Sequence, residues 1–438
     1  MQAVILSIGD ELVLGQTLDT NSAYLSGELV QLGIGTLYHQ TIADDQSAIT
    51  TAIQLAASSV PLVLISGGIG PTEDDLTRQA LAKAMGRELV LDPSSLEAIE
   101  AMFARHSRSM PQRNQVQAMH PEGTSMISND CGTAPGIKAH LDKAVIYITP
   151  GVPNEMRAMF AKSILAELTE LGPSQNIILS AKINTFGLGE SGVTQKLGDL
   201  TDRQRNPLVG TTVGDGIVTV RVRSEFPGAQ KARHELGQTV EQIEARLGPI
   251  VFGRDACTIQ QSLVEMLDQR QLKVATAESC TGGLLGKMIT DVPGASRVYN
   301  GGFIAYTNAM KIQLGVESDL LEQYGAVSES VAESLARNVA IQCDADLGVG
   351  ITGIAGPDGG SAEKSVGTVC IGLALREKDH IRSDALLLNL FGDRRAVRDR
   401  AAKSAAQMLR LQLRGDSWDA LAMGRTDVKD GINPDNDR

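Results

Sequence analysis

One feature constrains this 438-residue chain above all others: short, wholly apolar runs recur, each ending in a glycine-bearing turn and followed by an amphipathic stretch. Residues 4–8 run into Gly9-Asp10-Glu11, residues 60–65 into Ser66-Gly67-Gly68, and residues 144–148 into Thr149-Pro150-Gly151. Residues 272–275 lead in the same way into Thr276-Ala277-Glu278-Ser279-Cys280-Thr281-Gly282-Gly283. An apolar run without polar alternation predicts a strand covered on both faces. Strand, turn and helix in repetition predict α/β layers with mostly parallel sheets. In such sheets ligands bind beyond the carboxyl ends of the strands, which is where all these turns fall.

Two breaks divide the chain. Leu171-Gly172-Pro173 follows one helical stretch and Leu247-Gly248-Pro249 follows another. Glycine ends a helix and proline prevents its restart. The expected domains are 1–172, a small α+β segment over 173–252, and 253–415; the polar residues 416–438 read as a disordered tail. The fold class expected is two three-layer α/β domains with mostly parallel sheets, joined by the small α+β domain. Forty Lys+Arg against 52 Asp+Glu give a formal charge of −12, and aromatic residues are 3%. Neither suits a nucleic-acid surface, which needs basic patches and stacking platforms. No apolar run approaches the roughly 20 residues of a membrane helix, and the N-terminus has no basic export signal. Five cysteines with no CxxC pair favour neither a disulfide framework nor a zinc site, so the expected compartment is the reducing cytoplasm.

The densest signal lies in the first domain, at Ser66-Gly67-Gly68-Ile69-Gly70-Pro71-Thr72-Glu73-Asp74-Asp75. Gly67, Gly68 and Gly70 allow the backbone to approach a ligand with its N–H groups outward. Thr72 followed by Asp75 predicts a helix start, suited to phosphate, and the paired carboxylates suit a hard divalent cation. A plainer reading uses the same residues: acidic side chains in a first turn complement the helix dipole. Asp10-Glu11, Thr133-Ala134-Pro135-Gly136 and Pro150-Gly151-Val152-Pro153-Asn154-Glu155 bring further turns to the same sheet edge, which favours a site.

In the third domain, Ser279 and Cys280 occupy a strand-to-helix turn, where N–H groups of Thr281, Gly282 and Gly283 can meet an oxyanion. A capping serine beside a buried cysteine explains the same string without chemistry. His380 is the one histidine of this domain, so a Ser-His-Asp triad is poorly supported. Lys311 is the more economical base, provided burial or a neighbouring cation lowers its pKa. Arg394 opens the last helix and can bind an anion or simply solvate the helix end.

These strings carry a resemblance. Gly9-Asp10-Glu11-Leu12, Asp19-Thr20-Asn21, the 66–75 loop and Pro150-Gly151-Val152-Pro153-Asn154-Glu155-Met156 resemble the molybdopterin-binding fold, and more closely its relative at the front of CinA (competence/damage-inducible protein A) proteins. The resemblance implies a metal-dependent ADP-ribose pyrophosphatase in residues 1–172, with a divalent metal (Mg or Co) at Asp74 and Asp75. It also implies a nucleotide cradle of Gly67, Gly68 and Gly70 with Asp10 and Asn21 nearby. The alternative is a non-catalytic pterin- or nucleotide-binding module. Residues 276–283, 350–357 and Gly392-Asp393-Arg394 resemble the CinA C-terminal domain, whose members include nicotinamide mononucleotide (NMN) deamidases. That implies Ser279 as nucleophile, Lys311 as base, Tyr306 as helper, Thr352 and Arg394 in the substrate pocket, and no cofactor for this step. Residues 183–191 resemble the start of the KH-like connecting domain; without a basic-flanked GxxG clamp this segment reads as a spacer. The partners expected are small nucleotides and a second copy of the chain in a homodimer, with no nucleic acid or membrane.

Overall fold

The computed structural model describes residues 1–105, 107–170, 176–377 and 380–421. The first expected boundary, at residue 172, and the tail from 422 onward lie outside them. The chain divides into two compact units, one of residues 1–179 with 224–234, the other of 180–223 with 235 onward.

In the first unit six strands form one sheet: β1 (Gln2–Ile8), β2 (Gly35–Ile42), β3 (Leu62–Ser66), β4 (Ser125–Ile127), β5 (Gly136–Leu141) and β6 (Ala144–Thr149), in the order β2-β1-β3-β6-β5-β4. The first three pairings are parallel and the β5 and β4 edge is antiparallel. Successive side chains of a strand point to opposite faces. Ala3 and Ile5 with Leu62 and Leu64 enter one core, while Val4 and Leu6 with Val63 and Ile65 enter another. Burial on both faces is why these runs show no polar alternation. Ser7 pairs with Ser66 and Ser66 with Thr149, so three glycine-bearing turns leave the sheet side by side.

The second sheet comprises β7 (Asn176–Thr185), β8 (Leu208–Gly214), β9 (Ile217–Pro227) and β10 (Val251–Arg254), in the order β8-β9-β7-β10. Asp215-Gly216 is the two-residue turn between β8 and β9, with φ of 50° and 77°, the left-handed geometry that tight hairpins require.

The third sheet comprises β11 (Val274–Glu278), β12 (Tyr299–Ile304), β13 (Leu347–Gly353), β14 (Thr368–Glu377) and β15 (His380–Asn389), in the order β12-β11-β13-β14-β15. It is parallel around β11 and antiparallel beyond β13. The strand expected over 272–275 starts later and runs through Glu278, which brings the nucleophile turn to the sheet edge itself. The long helix Arg394–Arg414 lays Val397, Ala401, Met408 and Leu411 into the core of this unit. Its polar side binds middle-segment carbonyls: Lys403 Nζ donates to Asp215 O (2.8 Å) and Gln407 Nε2 to Pro249 O (3.1 Å). Residues 416–421, assigned to the tail from sequence, are folded here, with a 3-10 turn at Trp418–Ala420 and Leu421 fully buried. The apolar side chain explains the correction: Leu421 joins the core.

Candidate functional site

Three strands of the third sheet end level with one another. Glu278 pairs with Ile304 and with Ile351. Ser279 N–H donates to the Ile351 carbonyl (2.8 Å), and Ala305 N–H donates to the Glu278 carbonyl (2.8 Å). Ser279 thus leaves the sheet between the Tyr306 and Thr352 turns. Beyond β12, the Thr307 side chain accepts from Met310 N–H (3.2 Å) and starts the helix Asn308–Gln313. Its first turn aims Lys311 back over the sheet edge, where Nζ donates to Ser279 Oγ at 3.1 Å. Ser279 is 6% exposed and Lys311 2%.

Burial lowers the Lys311 pKa from the ordinary 10.5, opposed only by the Cys280 thiol. A lysine that gives up its proton more readily is what base catalysis at a serine requires. Cys280, the rival nucleophile, is buried and its thiol is pushed up to about 11, so it stays protonated near neutrality. His380 pairs with Glu377 at the start of β15, across the sheet from the edge that holds Ser279.

The remaining predicted residues are placed as follows. Tyr306 is half exposed and its hydroxyl accepts from Arg394 Nη2 (2.9 Å), while Arg394 Nη1 donates to the Gly356 carbonyl (2.8 Å). Arg394 therefore ties the turn after β12 to the glycine-rich loop after β13. The Thr352 hydroxyl donates to the Ala326 carbonyl (2.7 Å), which fixes this side chain at the end of β13. Of the three turn N–H groups expected to face an oxyanion, that of Gly282 is taken by the Ser279 carbonyl (3.0 Å). Two contributors were missed in sequence. Glu278 is buried, and its carboxylate accepts from Leu285 N–H (3.1 Å) and Gly286 N–H (2.8 Å), capping the helix Leu284–Thr290. Arg398 donates through Nε to the Cys280 carbonyl (3.1 Å) and through Nη2 to the Thr281 carbonyl (2.7 Å). Both left signals: an acidic residue inside a buried strand needs donors, and Arg398 follows Arg394 by four positions, on the same helix face.

In the first unit the turns after β1, β3 and β6 surround a cleft of about 490 Å³, with Gly9, Glu11, Asp44, Gly67, Gly68, Gly70, Asp74, Asp75 and Glu155 in its lining. Thr133, Ala134, Pro150 and Gly151 complete the wall, as the convergence of turns predicts. Gly68 has φ +68°, and a Cβ there would lie 2.0 Å from Thr77 Oγ1, so no other residue fits this loop without a shift. The helix expected to start at Thr72 starts at Thr77 instead. Asp75 is the reason: its carboxylate accepts from Gly70 N–H (2.7 Å), Thr72 N–H (2.8 Å) and the Thr72 hydroxyl, folding 70–75 into a closed loop. Beneath it the buried Arg78 donates to the Gly70 carbonyl (3.1 Å) and to that of Ile69. Asp10 Oδ1 accepts from Asp44 N–H (3.1 Å), and Asn21 Nδ2 donates to Ser66 Oγ (2.9 Å) and Gly151 O (2.8 Å), on the turns beside the cleft. Asp74 is exposed at the rim. The Asp44 carboxyl is raised above its usual range by burial and then by the charges of Asp10, Asp74 and Glu11. That accumulated negative charge suits a cation, yet among the described residues no three acidic, histidine or cysteine side chains converge to hold one. Glu11, Asp44 and Asp74 line the cleft on its acidic side.

Comparison with known proteins agrees with this layout. Residues 4–170 match the family described as "Probable molybdopterin binding domain", 180–253 the damage-inducible protein CinA KH domain, and 256–413 the CinA C-terminal domain. A Geobacillus kaustophilus protein that bears a competence-damage inducible name is 40% identical over 95% of this chain and 100% of its own. A CinA-like protein of Dictyoglomus thermophilum is 37% identical over 94% of this chain and 98% of its own. With matches that run through both units and nearly end to end, the chain belongs to the CinA family.

Proposed function

We propose that the second unit is a nicotinamide-nucleotide amidohydrolase that converts NMN and water to nicotinate mononucleotide and ammonia. The observation that carries this reading is the buried 3.1 Å contact between Lys311 Nζ and Ser279 Oγ. In the neutral state Lys311 accepts the hydroxyl proton while Ser279 Oγ bonds to the amide carbonyl carbon. The carbonyl oxygen becomes a tetrahedral oxyanion, met by those N–H groups of the turn after Ser279 that carry no other bond. As the C–N bond breaks, Lys311 returns the proton to the leaving nitrogen and ammonia departs. Water then attacks the acyl-enzyme, Lys311 takes its proton, and the C–Oγ bond breaks to restore Ser279 and release the carboxylate. Arg394, Tyr306 and Thr352 frame the substrate. The resemblance of residues 276–283, 350–357 and 392–394 to NMN deamidases supports the choice of amide.

For the first unit the reading is a metal-dependent ADP-ribose pyrophosphatase in the 490 Å³ cleft. Glu11, Asp44 and Asp74 are the cleft carboxylates that would share a divalent cation with the diphosphate, whose charge the cation would neutralise, while the glycine loop brings the backbone close to the phosphates.

The test is ammonia release from NMN by the full chain and by Ser279→Ala. The wild type releases ammonia and the variant does not. Equal release by both removes Ser279 as nucleophile.

A further inference from the structure

The turn that carries Ser279 has few N–H groups free for an oxyanion. Ser279 N–H is bonded to Ile351 O, Gly282 N–H to Ser279 O, and those of Leu285 and Gly286 to the Glu278 carboxylate. What remains, among the described residues, are the N–H groups of Cys280, Thr281, Gly283 and Leu284; of these, Thr281 N–H belongs to the peptide whose carbonyl a side chain holds. Thr281 N–H has no oxygen acceptor among the described residues and lies near the Cys280 sulfur, a weak acceptor.

The direction of Thr281 N–H is set by the peptide that contains it. In a trans peptide the N–H points opposite to the C=O of the preceding residue. Whatever holds the Cys280 carbonyl therefore aims the Thr281 N–H. That holder is Arg398, with Nε on Cys280 O (3.1 Å) and Nη2 on Thr281 O (2.7 Å). Two donors fixed in one plane grip two successive carbonyls, which a single point donor cannot reproduce.

We propose that Arg398 is a positioning residue for the amidohydrolase. It pins both carbonyls on the side of the long helix, so that Thr281 N–H faces the oxygen that becomes negative after Ser279 attack. The guanidinium also draws electrons through the Cys280–Thr281 peptide and makes that N–H a better donor. Arg398 touches neither the nucleophile nor the substrate; it acts through the backbone. It stands one helical turn after Arg394, so one rigid element organises both the loop around the substrate and the donor for the oxyanion. This assignment rests on the amidohydrolase reading and names how its oxyanion is held.

The experiment is steady-state ammonia release from NMN by full-length Arg398→Ala, Arg398→Gln and Arg398→Lys, with thermal unfolding of each and Ser279→Ala in parallel. Loss of one aimed oxyanion donor lowers kcat by about 10²–10³-fold. KM stays within about 3-fold, because the donor bonds tightly only once charge has developed. Arg398→Lys recovers a part at most, and millimolar guanidinium restores rate to Arg398→Ala without restoring Ser279→Ala. A merely structural role predicts loss in proportion to unfolding, and no rescue. Should Arg398→Ala not fold, Arg398→Gln, which keeps one donor, decides between a kcat effect and none. A rate within 3-fold of wild type, or a loss confined to KM, overturns the proposal. Ammonia release that Ser279→Ala preserves refutes the amidohydrolase reading and this assignment together. Release lost in Ser279→Ala but kept in the Arg398 variants refutes this assignment alone.

Discussion

Replacing Lys311 with methionine isolates the base. The side chain is 2% exposed, and methionine fills nearly the same volume without a cavity, so the fold is retained. The substitution even removes a buried amine whose charged form the site disfavours. What is lost is the single 3.1 Å contact to Ser279 Oγ. His380, the one histidine described in this region, stands across the sheet, so no substitute base reaches the hydroxyl. General-base catalysis contributes about 10²–10⁴-fold, or about 3–5 kcal/mol at 1.36 kcal/mol per tenfold. With no substitute, the upper half of that range is expected in kcat/KM. The pH profile gives an independent check. Only the neutral amine accepts a proton, so the active fraction grows as pH rises through the Lys311 pKa. Because burial holds that pKa below 10.5, the wild-type kcat/KM rises with unit slope to a midpoint below 10.5. In Lys311→Met that limb disappears and the residual rate is flat. The assay is ammonia release from NMN between pH 5.5 and 10. A variant that keeps the wild-type limb, or loses less than tenfold, refutes Lys311 as the base.

Thiol alkylation separates the two candidate nucleophiles. At pH 7.5 a small alkylating reagent labels the exposed Cys131 and leaves ammonia release intact, because the Cys280 thiol is buried and pushed up to about 11; inactivation in step with Cys280 labelling, followed by mass spectrometry, would make the cysteine the nucleophile. In the first unit Asp75→Asn and Asp74→Asn should diverge. Asp75→Asn replaces one oxygen that accepts loop hydrogen bonds and lowers stability by about 1–3 kcal/mol in thermal unfolding. Asp74→Asn, exposed at the rim, leaves stability unchanged and lowers metal-dependent ADP-ribose cleavage. Equal stability of both variants contradicts the loop-closing role of Asp75, and unaltered cleavage in Asp74→Asn removes it from the metal site.

Local patterns were sufficient to place much of the chain. The apolar runs at residues 4–8, 60–65 and 144–148 announce central strands because burial on both sheet faces leaves no polar alternation, and the glycines after them mark the sheet edge where the cleft lies. Ser279 at a strand-to-helix turn was legible for the same reason. Other features depended on long-range geometry. Thr72 and Asp75 have the spacing of a helix cap, yet Asp75 closes a loop instead, because the buried Arg78 beneath holds the carbonyls of Ile69 and Gly70 in a non-helical path. Asp10 and Asn21 sit in motif strings, but the partners that claim them, Asp44, Ser66 and Gly151, come from distant parts of the chain. The nearness of Lys311 to Ser279, 32 residues apart, comes from parallel pairing of two strands and a capped turn. The hold of Arg398 on Cys280 and Thr281, more than 100 residues away, comes from packing of the last helix. Sequence by itself specified residue type and local turn. Which donors remain free, and which proton is loosened by burial, are properties of neighbours brought together only when the layers close.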